Sequence, residues 1–255
     1  MRILVTNDDG IDAKGIEILA GAAKHFGDVW VVAPDHQCSA MSQRITLREK
    51  LLVSEYGFPV DVEKAYSVSG TPADCVSVAV TYLMPEKPDI IFSGINFGLN
   101  TGFDIAYSGT VGAAMEGIMN GIPSIAFSNE ATHIYDTVNE YITGITEEII
   151  KRGFRDDSIW NVNFPACSVS ECKGVLWDRK IARSPLFQGS FAEEESDGNG
   201  RKITAVGTKK DLSYLSDETD LGAVTRKYIS VGYVKSMVLM KDSTINIEGE
   251  TDGIQ

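Results

Sequence analysis

MRILVTNDDGIDAKGI (residues 1–16) decides the fold. Arg2–Thr6 is a short apolar run ending on Asn7-Asp8-Asp9-Gly10, which reads as a buried strand entering a turn. From Gly15 to Phe26, the residues Ile16, Leu19, Ala20 and Ala23 recur at helical spacing. Asp28–Ala33 (DVWVVA) is a second strand, stopped by Pro34. Strand, helix and strand in that order form a βαβ unit, with two parallel strands joined by a right-handed crossover.

The alternation continues downstream. Leu47–Ser54 and Ala65–Ser69 read as weaker strands, and Thr71-Pro72 starts a helix with Thr71 as N-cap and Pro72 at the first helical position. Asp89–Gly94 (DIIFSG) is a strong buried strand, followed by a Gly- and Asn-rich loop and a helix of small residues beginning near Thr110. Ser124–Ser128 and Ile159–Phe164 are further strands, with a helix over Val138–Lys151 between them. Beyond about Ala166 the pattern loosens. Strand-like Val175–Ala182, Ile203–Val206 and Tyr228–Val234 flank the polar stretch Glu193–Lys202, which reads as a solvated loop or arm. The expected architecture is a doubly wound α/β domain, mainly parallel, with a C-terminal extension that includes a β-hairpin arm.

Composition bounds the function. The 255 residues are 43% hydrophobic, enough for a full core without disulfide or metal staples. With 23 Lys+Arg against 36 Asp+Glu the net charge is −13, which argues against bulk nucleic-acid binding. No apolar run reaches a membrane span, and the N-terminus turns acidic too early for a signal peptide. Cys38, Cys75, Cys167 and Cys172 show no CxxC pair, so reduced thiols in a cytoplasmic protein are the expectation.

In an open α/β sheet, ligands bind beyond the carboxyl ends of the strands. Asp8 and Asp9 follow the first strand directly, where a turn permitted by Gly10 lets both carboxylates converge on a hard divalent cation such as Mg²⁺ or Mn²⁺. The same turn also reads as an ordinary surface turn with Asp9 capping the next helix. After the second strand, Ser39 and Ser42 offer hydroxyl ligands and His36 a base. After the DIIFSG strand, Asn96 and Asn100 offer neutral oxygens. Tyr107–Ala114 runs into a helix N-terminus, where Ser108, Gly109 and Thr110 suit either an anion or a plain helix cap. His25 reads as a surface residue and His133 as structural. GxGxxG, GxSxG and P-loop patterns are absent, which disfavours a nicotinamide oxidoreductase and a serine-triad hydrolase.

Taken together, MRILVTNDDGIDAKGI, VAPDHQCSAMS, VSGTPADCV, PDIIFSGINFGLN, YSGTVGAAMEG and WNVNFP resemble the collinear motif series of the SurE, or stationary-phase survival protein, family over about Met1–Pro165. A weaker echo continues at Thr219–Val224 and Tyr228–Val231. Members are metal-dependent phosphatases of nucleoside monophosphates. The resemblance therefore implies a 5′-nucleotidase, with 3′-nucleotidase activity as an extension, acting through metal-activated water. It implies one Mg²⁺ or Mn²⁺ per subunit, held by Asp8, Asp9, Ser39 and Asn96. Asp8, Asp9 and Asn96 take the catalytic positions, and Asn7, Ser39, Ser108, Gly109 and Thr110 contact substrate phosphate. The implied chain is one domain over 1–255, with a catalytic core at 1–165 and an oligomerisation arm within 166–255 that builds homodimers or homotetramers. Lys227–Val234 departs from the family's Gly-Tyr-Val-Ser-Ile-Thr-Pro-Leu pattern, which bears on the arm rather than on the chemistry. The competing class is a non-catalytic nucleotide or phosphate sensor on the same scaffold.

Overall fold

The computed structural model describes residues 1–186, 189–197, 200–207 and 212–239. The opening βαβ unit is present as β1 (Arg2–Thr6), α1 (Lys14–Ala23) and β2 (Asp28–Pro34). There follow β3 (Val53–Glu55), β4 (Lys64–Val68), α2 (Pro72–Val78), β5 (Ile90–Phe97) and α3 (Gly109–Met119). The core ends with β6 (Ser124–Asn129), α4 (Asp136–Arg152) and β7 (Ser158–Phe164). The extension supplies β8 (Val175–Leu176), a hairpin of β9 (Gly189–Asp197) and β10 (Gly200–Gly207), α5 (Asp220–Thr225) and β11 (Ile229–Lys235).

Nine strands form one sheet in the order β3-β4-β2-β1-β5-β6-β7-β11-β8, and β9 and β10 form a separate antiparallel pair. From β4 to β7 all neighbours are parallel; β3 and β11 join antiparallel. Chain order runs outward in both directions from the boundary between β1 and β5, which makes that boundary the topological switch point.

Period-2 alternation sorts the core into two layers. Ile3 and Val5 of β1 join Phe92 and Phe127 beneath α1 and α4, whereas Leu4 points to the other face and packs with Val76 of α2 and Ala113 of α3. Both faces are covered, so β1 is fully buried and reads as a continuous apolar run. Thr71 caps α2 as expected. Its hydroxyl accepts the Asp74 N–H at 3.2 Å, and the Asp74 carboxylate accepts the Thr71 N–H at 2.9 Å, closing a capping box.

Two expectations need correction, and a third, a loop or arm over Glu193–Lys202, resolves to the arm. The strand beginning near Asp89 does not stop at Gly94 but runs to Phe97, because Ile95 is fully buried and Asn96 and Phe97 pair with Ser128 and Asn129 after a register slip. The polar stretch Glu193–Lys202 is not a simple loop. Its described residues pair across a hairpin, Lys202 with Glu195 and Ile203 with Glu193, while Gly198 and Asn199 lie outside the described residues. Val175–Ala182 shortens to the two residues of β8, since only Val175 and Leu176 pair in a ladder, with β11, and Lys180 makes an isolated bridge to Thr219.

The extension is tied to the core by a buried carboxylate. Asp220 accepts N–H bonds from Gly102 (2.9 Å), Ala182 (2.8 Å) and Leu221 (2.7 Å), although burial pushes its own pKa up. Removing it leaves three N–H groups around a buried position without their acceptor. Asp220→Ala is expected to cost about 3 kcal/mol, read as a fall of roughly 9 °C in thermal midpoint by calorimetry; an unchanged midpoint would remove Asp220 from this role.

Candidate active site

The acid pair lies at the switch point. Asp8 and Asp9 leave the carboxyl end of β1, and Gly10 turns the chain with φ at +99°. Asn7 closes this turn by donating Nδ2–H to the Gly10 carbonyl at 2.8 Å.

Each carboxylate is held by a different neighbour. Thr110 Oγ1 donates to Asp8 Oδ1 at 2.5 Å from the first turn of α3. The Phe97 N–H, at the end of β5, donates to Asp9 Oδ2 at 2.8 Å, and the Gln37 side chain also bonds Asp9. The loop after β2 is drawn in by the Cys38 N–H, which donates to the Asp8 carbonyl at 2.7 Å. Ser39 therefore emerges one residue beyond a fixed point beside the acid pair, with its side chain exposed.

Electrostatics mark this turn as unfinished. Burial pushes Asp8 up to about 6, against the pull of the Thr110 hydroxyl, and the neighbouring Asp9 charge adds to the rise. Asp9 is raised as well, again mainly by burial. Neither carboxylate has a Lys or Arg partner among the described residues. Asn7 Oδ1 is buried without a hydrogen-bond partner. Two uncompensated carboxylates and an orphaned amide oxygen are a donor set suited to a hard divalent cation. Asn96 fits the same set: its Nδ2 donates to the Gly98 carbonyl at 2.9 Å, which leaves Oδ1 as the atom outside that bond. Among the described residues no group of three or more His, Cys, Asp and Glu comes together, and the donors this turn could offer a cation are two carboxylates and neutral oxygens.

The segment at the start of α3 is both cap and cradle. Ser108, not Thr110, is the N-cap, its hydroxyl accepting the Val111 N–H at 3.1 Å. The Thr110 hydroxyl, expected at a phosphate, is instead bonded to Asp8. The N–H groups of Gly109 and Thr110 precede the first intrahelical bond and carry the positive end of the helix dipole. Gly109 lies against Asp8: a Cβ there would sit 2.8 Å from Asp8 Cβ and 3.0 Å from Asp8 Oδ2.

Other candidates are used structurally. Ser42 Oγ donates to the Ala106 carbonyl at 2.6 Å and its N–H to the Tyr107 carbonyl at 2.9 Å, clamping the loop onto the approach to α3. Asn100 is buried in a knot with Ser128, Asn161 and Asn163. His36 has Nδ1 against Asp35 at 2.5 Å and Nε2 against the Cys38 thiol at 3.4 Å, so both nitrogens are engaged away from a base's role. His25 is an exposed partner of Glu147. All four cysteines are free. Phe97, Gln37 and Tyr135 were not legible as site residues. Phe97 acts through its backbone N–H, which residue type does not reveal. Tyr135, whose phenol is pushed up by burial and by the Asp9 charge, comes from a distant loop.

A doubly wound α/β fold with an uncompensated acid pair and a helix N-terminus at its switch point defines a class of proteins that handle a cation and an anionic ligand together. Comparison narrows the class. Residues 3–185 match the family model described as Survival protein SurE. The 5′-nucleotidase SurE of Clostridium botulinum (strain Kyoto / Type A2) is 40% identical over 238 residues, 91% of each chain. The 5′-nucleotidase SurE of Pelobacter propionicus is 39% identical over 236 residues, covering 91% of this chain and 92% of the relative. The crystal structure of the SurE protein from Aquifex aeolicus superposes with a TM-score of 0.77 at 33% identity, covering 92% of this chain and 93% of that one. The chain belongs to the SurE family.

Gly109→Ala is expected to push the Asp8 carboxylate aside with little change in thermal midpoint. Mn²⁺ affinity, read from the free-ion signal in electron paramagnetic resonance, should fall about 10-fold or more. Wild-type affinity in this variant would show that the contact does not position Asp8.

Proposed function

We propose that this chain is a metal-dependent 5′-nucleotidase that hydrolyses nucleoside monophosphates to nucleoside and phosphate. The observation that carries the reading is the acid pair at the switch point, with Asp8 buried against the start of α3, Asp9 half-buried, and no cationic side-chain partner for either among the described residues. The names of the relatives, 5′-nucleotidase SurE, agree with that chemistry.

In this reading Asp8, Asp9, Ser39 and Asn96 hold one Mg²⁺ or Mn²⁺. When bound, the cation supplies Lewis acidity toward the phosphoryl oxygens and activates water. The chain's own residues do the positioning. Thr110 fixes Asp8 and the Phe97 N–H fixes Asp9, so neither carboxylate reorganises as charge develops on the phosphate. The N–H groups of Gly109 and Thr110, with the Ser108 hydroxyl and Asn7, meet the remaining phosphate oxygens. Substrate is thus drawn to a locally positive site on a chain of net charge −13.

The proposal extends to assembly and setting. The chain is read as one domain over 1–255, with a core at 1–165 and a C-terminal extension from 166. It is read as a cytoplasmic homodimer or homotetramer joined through the β9–β10 arm. Supporting this, among the described residues the two hairpin strands pair with each other and not with the main sheet, and the hairpin exposes Phe191 (71%) and Ile203 (59%). Among the described residues no helix is long and apolar enough to cross a membrane.

Phosphate release from a panel of nucleoside 5′- and 3′-monophosphates tests the activity. Turnover is expected with Mn²⁺ or Mg²⁺ and not with EDTA, and Asp8→Asn should lower kcat/KM at least ~100-fold. Nucleotide binding without phosphate release under any metal would replace the enzyme with a sensor. For assembly, light scattering should give two or four times the chain mass, and Phe191→Asp with Ile203→Asp should shift it toward the monomer. A monomeric wild type would remove the arm from this role.

A further inference from the structure

The geometry points to a nucleobase-stacking wall, built from Phe97 and His133, at the mouth of the acid pair. This inference rests on the nucleotidase reading and names the part of the site that meets the base. Phe97 does two separable things. Its backbone N–H is bonded to Asp9 Oδ2 at 2.8 Å, while the residue that carries the phenyl ring remains 42% exposed. Leaving such a ring in water is unfavourable, and here it is nonetheless held in place. It lies against the exposed imidazole of His133, with ring centroids 5.2 Å apart and planes inclined by 33°.

Asn129 anchors both halves of the wall. Phe97 pairs with Asn129 across β5 and β6, and the Gly98 N–H donates to the Asn129 carbonyl at 2.8 Å. The Asn129 side-chain amide, itself buried, donates to the carbonyls of Glu130 (3.2 Å) and Ile134 (3.0 Å), which bracket the loop carrying His133. The strand end bearing Phe97 and the loop bearing His133 are thus fixed to one residue. Phe103 and Tyr107 are also exposed near this end of the sheet, but neither ring is packed against another ring among the described residues.

An aromatic face set in place before the ligand arrives takes a flat π system with little further ordering. A nucleoside monophosphate with its phosphate at the acid pair carries such a plane one ribose away, and a simple sugar phosphate does not. Stacking recognises the face of a base rather than its hydrogen-bonding edge, so the wall tolerates every base and separates base-bearing from base-free esters.

Phe97→Ala keeps the backbone N–H to Asp9 and removes only the ring, which isolates the stacking role. The experiment compares wild type, Phe97→Ala and Phe97→Trp on AMP and on ribose 5-phosphate with Mn²⁺. It also titrates the non-hydrolysable methylenephosphonate analogue of AMP by calorimetry. Phe97→Ala is expected to raise KM for AMP and weaken analogue binding, each about 10-fold more than any change it causes on ribose 5-phosphate, with Phe97→Trp restoring both. Equal losses on the two esters would reassign Phe97 to holding Asp9, and no loss on either would remove the wall. If wild type cleaves neither ester while Phe97→Ala still loses analogue affinity, the nucleotidase reading fails and the wall stands. If Phe97→Ala cleaves AMP as wild type does, the wall fails and that reading stands.

Discussion

Two carboxylates on adjacent residues, held at the end of a fully buried strand, repel one another where water screens them poorly. The rest of the site is organised around that repulsion. β1 places Asp8 and Asp9 where the chain order of the sheet diverges, and α3 brings its unpaired N–H groups and the Thr110 hydroxyl against Asp8. β5 sends a backbone N–H to Asp9, and the loop after β2 closes on the Asp8 carbonyl through Cys38. Two elements, α3 and β5, thus place neutral dipoles on carboxylates that no Lys or Arg among the described residues balances. Such dipoles lower the cost of the acid pair without neutralising it, and the negative potential that persists is what a divalent cation requires.

This arrangement separates positioning from binding. The Thr110 hydroxyl engages Asp8 Oδ1, and the Phe97 N–H engages Asp9 Oδ2 with Gln37 beside it, so each carboxylate is oriented by neutral donors. Gly109 is the enabling residue, because any side chain there would occupy the space of the Asp8 carboxylate. The run Ser108-Gly109-Thr110 therefore has three distinct reasons for its composition: a cap, a close approach and a donor. A single reading of it as a phosphate loop conflates them.

How much of this was legible in the sequence follows from how local each signal is. β1, α1 and β2 were readable because their periodicity and stop signals lie within the segments themselves, and Thr71 because a cap is set by its next three residues. The placement of Asp8 and Asp9 just beyond β1 follows from the rule that ligands gather past the carboxyl ends of strands, whereas Asn96 lies within β5. The misses are non-local. Gly94–Phe97 looks like loop chemistry, yet Ile95 is captured by the core and Asn96 by β6. Ser42 and Asn100 have the right atoms for ligands but meet backbone and buried amides instead. The Phe97 contact with Asp9 runs through a main-chain N–H, which every residue but proline possesses.

The loop after β5 also links the site to the C-terminal extension. Asn96 and Phe97 stand at its start, Asn100 is locked to β6 and β7 in its middle, and the Gly102 N–H is bonded to Asp220 at its end. Both ends of this short segment are therefore fixed by partners far away in sequence. A Gly- and Asn-rich stretch has high conformational entropy when free, and ordering it needs several good hydrogen bonds. Placing one of those partners in α5 makes the order of the loop conditional on the docking of the extension. The core up to β7 carries the acid pair, but the loop that follows Asn96 and Phe97 is tied at its far end to Asp220, 118 positions beyond Gly102.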